Sequence, residues 1–115
     1  MIINWFKNLF TKEEDKELLK EINSIEVSYE ALESYRTCVK SNWHESVETC
    51  KKKMIRNWLL GTVEYKKRNR ESRSYGNLVL HKTDNVITSI YNRRGIYPFE
   101  IDVNNKLKIE KILNL

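Results

Sequence analysis

Two cysteines, one proline and three glycines are all that this 115-residue chain holds of the residues that staple or break a fold. Cys38 and Cys50 are too few for the disulfide framework of a small secreted domain, and no signal-peptide pattern precedes them. They read as thiols in a reducing, cytoplasmic setting. On an antiparallel helix pair their offset is too large for a bridge. Nor do they make a zinc site with His44 and His81, because no C-x2-C or H-x3-H spacing occurs. Neither a metal nor a cofactor is expected. No apolar run approaches the roughly 20 residues of a spanning helix, so no integral membrane segment is expected. Residues 1–10 are apolar at Ile2, Phe6, Leu9 and Phe10 but are interrupted by Asn4, Lys7 and Asn8. They lack a basic leader and a cleavage site. The segment reads as a short helix packed on the core, with a docking or membrane-surface helix as the alternative.

Catalytic signatures are missing as well. There is no G-x-G-x-x-G, no Walker A sequence and no G-x-S-x-G. Glu64-Tyr-Lys66 matches the E-x-K half of a PD-(D/E)xK nuclease, but no aspartate stands between Asp15 and Glu64 to supply the second metal ligand. Gly95-Ile-Tyr97 matches half of a GIY-YIG signature and nothing completes it. His44 and Cys50 lie six apart on one helix and do not share adjacent faces. The reading therefore leans away from an enzyme. One enzymatic alternative stands, a metal-independent ribonuclease. His81, Lys82, Tyr91, Arg93 and Tyr97 would supply its acid, base and oxyanion contacts. Two helices before a basic sheet are loosely similar to RelE-type toxins, whose first strand would have to come from Ile2–Phe6. Helices with a curved sheet also resemble the NTF2-like fold, which would imply a pocket.

What the chain has in quantity is charge, and the charge is sorted. Residues 1–50 carry six Lys/Arg against ten Asp/Glu, residues 51–73 nine against two, and residues 74–115 six against four. The net charge of +5 thus hides an acidic stretch over 1–50 and a basic one over 51–73. Clustered charges add their fields before salt screens them, so such a block steers an acidic partner.

The hydrophobic pattern sorts in the same way. Thr11-Lys-Glu-Glu14 reads as a capping box. From there Leu18, Ile22, Ile25, Tyr29, Leu32, Arg36 and Val39 keep a 4-3 spacing. This is either one helix over 12–40 or two with a break at Asn23–Ser28, where Ser28 would cap the second. Arg36 interrupts the seam and needs a carboxylate such as Glu33 or an exit to solvent. A homodimer through the seam is open. Asn42-Trp-His-Glu45 is a further capping box. Trp43, Val47, Cys50, Met54 and Trp58 share one face of a helix that Gly61 ends. After Gly61 the period falls to two: Thr62–Lys66, Leu78–Lys82 and Val86–Asn92 read as strands, with Lys67–Asn77 as a polar loop. Phe99, Ile101 and Val103 alternate, and so do Leu107 and Ile109 beyond the Asn104-Asn105 turn. The expected fold is one α+β domain over 1–115. An N-terminal helical hairpin (1–60) packs on one face of a four-to-five-stranded antiparallel meander (61–115).

The expected role is a non-catalytic interaction protein of adaptor or inhibitor type, docking on an acidic macromolecular partner. Its candidate surface comprises Lys51, Lys52, Arg56, Lys66, Lys67, Arg68, Arg70, Arg73, Arg93 and Arg94. On the helix the basic residues wrap around the polar side, where Glu48 and Lys52 also make a favourable i,i+4 pair. The 66–73 cluster is the more concentrated part. The Lys/Asn/Ile-rich composition suits a phage or mobile-element accessory. The alternative is a DNA- or RNA-binding regulator, with Tyr65, Tyr75, Tyr91 and Tyr97 available to stack on bases.

Overall fold

The computed structural model describes residues 13–39 and 44–115, with side chains from Asp15 onward. Residues 1–10, the cap at Thr11, and Asn42 with Trp43 lie outside them. Helix α1 (Glu13–Ser24) ends where Asn23 and Ser24 stand next to the β-branched Ile25. A two-residue strand β1 (Glu26–Val27) follows, and α2 (Tyr29–Cys38) restarts from Ser28, whose side chain accepts from the backbone N–H of Ala31. The 12–40 seam is therefore two helices, broken at the Asn23–Ser28 stretch. Ile22, Ile25 and Leu32 of that seam are buried in the molecule's own core, while Tyr29 is exposed. Arg36 takes Glu33 as an ion partner at 3.8 Å.

Helix α3 (Val47–Leu60) is capped by Ser46, which accepts from Thr49 N–H and follows the expected box. Cys50, Met54 and Trp58 form its fully buried face. Cys38 and Cys50 are separate thiols, and burial pushes the Cys50 thiol above its ordinary pKa. Gly61 caps α3 and lets the chain turn tightly against the next strands. A Cβ there would meet Asn57 O at 3.0 Å and Ser74 O at 3.1 Å.

Four strands follow as a meander: β2 (Thr62–Lys67), β3 (Arg70–Tyr75), β4 (Leu78–Thr83) and β5 (Val86–Asn92). Each connection is two residues long, with Arg68, Gly76 and Asp84 at positive φ. The sheet order is β1-β5-β4-β3-β2. The sheet departs from the expected antiparallel meander in one respect: β1 joins β5 in parallel, through Glu26 N–H to Asn85 O and Ser28 N–H to Ile87 O. Two further expectations are corrected. The polar stretch read as a loop contains β3. Its side chains are polar on both faces, so no apolar alternation marked it. The last residues, read as strands, form helix α4 (Val103–Leu113). Asp102 caps it by accepting from Asn105 N–H, and Ile109 and Leu113, one turn apart, are buried. Leu107, which alternation paired with Ile109, is exposed.

The helices gather on one face of the sheet. α2 lies along β5, α3 against β3, and α4 against α3. Leu80, Ile87 and Ile90 of the sheet meet Leu32, Tyr35, Met54 and Trp58 of the helices in one core. Among the described residues no helix is long and apolar enough to cross a membrane.

A candidate binding surface on the open sheet face

Register decides which side chains share a face, because successive strand residues point to opposite sides. On the helical side Arg73 pairs across the sheet with Leu80, and Glu71 with Lys82. On the other side one row runs Tyr65, Ser72, His81, Ser89 across β2, β3, β4 and β5. Next to it run Lys67, Arg70 and Thr83, towards the β2–β3 turn, and Ser74, Val79 and Tyr91, towards the opposite end. This face is exposed at Tyr65, Lys67, Arg70 and Tyr91, whereas Ser74 and Val79 on it are buried.

The open face alternates large rings with small hydroxyls. Tyr65 and Tyr91 are half exposed, at 52% and 45%. The His81 ring stacks on Tyr91 with centroids 5.6 Å apart and 28° between planes. Its Nδ1 lies 2.5 Å from Ser72 Oγ, the residue directly opposite on β3. Since Ser72 is small, a groove of about 480 Å³ remains between Tyr65 and His81, lined also by Arg70, Glu71, Lys82 and Thr83. A second groove, of about 340 Å³, continues it along Lys67, Arg68, Asn69 and Arg70.

The ten candidate basic residues do not form one patch. Lys66, Lys67, Arg68 and Arg70 come together at the β2–β3 turn. All are exposed, and no ion pair holds them among the described residues. The β4–β5 turn is tied alongside by Asp84 N–H to Asn69 O and brings the exposed Asp84 to the same end. The cluster still outweighs that carboxylate. Three other candidates are committed to the fold. Arg56 bonds Glu110 at 2.9 Å, linking α3 to α4. Arg73 bonds Glu71 at 2.5 Å, donates to Trp58 O and lies over the Trp58 ring at 4.5 Å. Arg93 bonds Glu64 at 2.8 Å and lies over Tyr97 at 3.7 Å. Hydrogen bonds from Arg93 and Ser74 hold the Glu64 carboxyl below the usual range. Lys51 and Lys52 are half-buried on α3, in the layer behind the sheet, and Arg94 is exposed beyond the end of β5.

The residues considered for ribonuclease chemistry are divided too. His81 and Tyr91 share the open face, whereas Lys82 lies over the Trp58 ring at 5.3 Å on the helical side. Tyr75, one of four candidate stacking rings, turns to the core side and meets Phe99 at 4.8 Å. Sequence reasoning missed Ser72, because β3 itself was missed. The available signal was the spacing of Arg70, Ser72 and Ser74, three polar residues two apart after a short Arg-Asn turn.

A family model described as YorE matches residues 25–113, which spans β1 through α4. No curated protein and no solved structure matches the chain.

Proposed function

From the premise that the chain belongs to the YorE family, we propose that it is a non-catalytic accessory protein of phage or mobile-element type that docks the basic end of its sheet on an acidic macromolecule. One observation carries this reading: Lys66, Lys67, Arg68 and Arg70 stand exposed at one turn with no ion pair among the described residues, while Arg56, Arg73 and Arg93 are each paired with a carboxylate. Unpaired cations on a rigid hairpin attract polyanions at low cost, since no internal ion pair has to be broken first. Family membership and the small Lys-rich chain support the phage setting.

Two matched charge reversals test the reading. Lys67→Glu with Arg70→Glu alters two paired neighbours on the open face. Lys51→Glu with Lys52→Glu makes the same charge change on α3. On immobilised heparin the wild type should be retained at ~50 mM salt and released by ~200 mM. The sheet variant should lose retention and the helix variant should keep it. Equal behaviour of the two variants would defeat the assignment of the sheet end.

A further inference from the structure

Resting on that reading, we infer that the acidic partner is a single-stranded polynucleotide, which lies across the open sheet face with bases against Tyr65, His81 and Tyr91 and its phosphates at Lys67, Arg68 and Arg70. The argument starts from what the open face offers beyond charge. An acidic protein surface would require only the cations of the turn. Here the cations continue directly into exposed rings: Tyr65 is the strand neighbour of Lys66, and the row containing Tyr65 and His81 adjoins the row containing Lys67 and Arg70.

Shape supports the same ligand. Tyr65 on β2 and His81 on β4 are two strands apart, roughly 9.5 Å at 4.7–4.9 Å per strand. The strand between them contributes only Ser72, which leaves the groove of about 480 Å³. An unpaired base can enter that slot above Ser72, between Tyr65 and His81. Stacking on rings held by strands loses little side-chain freedom, and it tolerates any base because every base has a π-face. A duplex keeps its base faces inside the stack, so it can reach the cations and not the rings. Of the carboxylates near this face, Glu64 is paired with Arg93 and Glu71 with Arg73, and Asp84 at the turn is outnumbered by the four cations there.

The test uses the full chain and fluorescence anisotropy with a 20-nucleotide oligo(dT), a 20-nucleotide oligo(U) and a 20-base-pair duplex. The wild type should bind at least one single strand at ~50 mM salt, more tightly than the duplex. Tyr65→Ala with Tyr91→Ala should weaken single-strand binding by on the order of tenfold or more. It should leave the salt slope and duplex binding unchanged. Tyr65→Phe with Tyr91→Phe keeps both rings and should bind like the wild type. Lys67→Glu with Arg70→Glu should reduce the salt slope by about two. Both tyrosines are half exposed, so an unchanged circular dichroism melt confirms that these variants fold. Comparing the two single strands identifies DNA or RNA as the source of the polynucleotide.

Absence of binding to either single strand overturns the inference, as does a duplex bound equally well or a loss of binding that the Phe variants do not rescue. Heparin retention that depends on Lys67 and Arg70, without oligonucleotide binding, removes the polynucleotide and leaves the docking reading intact. Loss of both removes both.

Discussion

Single residues show how the charge is apportioned. Trp58 is completely buried, yet two cations flank its ring, Arg73 at 4.5 Å and Lys82 at 5.3 Å, and its carbonyl accepts from Arg73. A tryptophan face attracts cations through its quadrupole, so this residue closes the core and anchors two positive side chains of the sheet. Trp58→Ala should cost about 3–5 kcal/mol, a large share of the roughly 6–17 kcal/mol expected for a domain of this length. Urea unfolding followed by far-ultraviolet circular dichroism would measure it. Glu64 gives a prediction in pH. Its folded pKa is depressed by Arg93 and then by Ser74, so its stabilising contribution is present above the ordinary carboxylate value, about 4.3. That contribution is lost as pH falls through the depressed folded value. Glu64→Gln should therefore lower the melting temperature slightly at pH ~6, and the difference should vanish in acid. The effect is small because the side chain is 37% exposed and solvent screens the pair. Trp58 as a core residue was readable from its helical face with Cys50 and Met54. Arg73 as its partner was not, because fifteen residues and a missed strand separate them.

At the scale of elements, local chemistry was legible where it is self-contained. Ser28 and Gly61 act at the positions their residue types suggest, because a cap acts within one turn of its own helix. The strands β2, β4 and β5 were visible as period-two stretches. Two elements were misread for opposite reasons. β3 is polar on both faces up to Tyr75, and its inward Glu71 and Arg73 bond one another, Arg73 meeting the core only through the Trp58 ring. α4 carries apolar residues on more than one face, Val103 and Leu107 exposed and Ile109 and Leu113 buried, so a short stretch was consistent with two as well as 3.6. Its ends are nevertheless well specified. Asp102 caps the start, and Asn114 at φ 60° closes the end by donating to the carbonyls of Glu110 and Lys111. Asp102→Ala should destabilise the protein by about 1 kcal/mol, read as a lower denaturant midpoint at unchanged slope. An unchanged midpoint would mean that packing of Ile109 and Leu113 alone sets the position of α4.

The whole molecule is divided by layer. The helices supply the core face, and the sheet presents the surface left open. Residues 1–50 are net acidic and 51–73 net basic, and on the proposed reading this asymmetry orients the molecule toward a polyanion before contact. The sequence by itself determined the α+β class, the N-terminal position of the first three helices, the break at Ser28 and the supply of positive charge. Each depends on neighbours within a few residues, or on composition alone. Only the tertiary structure decided which cations face solvent. Arg56, Arg73 and Arg93 find their carboxylates on other strands or helices, or on a strand hidden from pattern reading. It also decided that Tyr65, Ser72, His81 and Tyr91 share a face, since strand register is set when side chains from distant segments pack against one core and not by any stretch of chain alone.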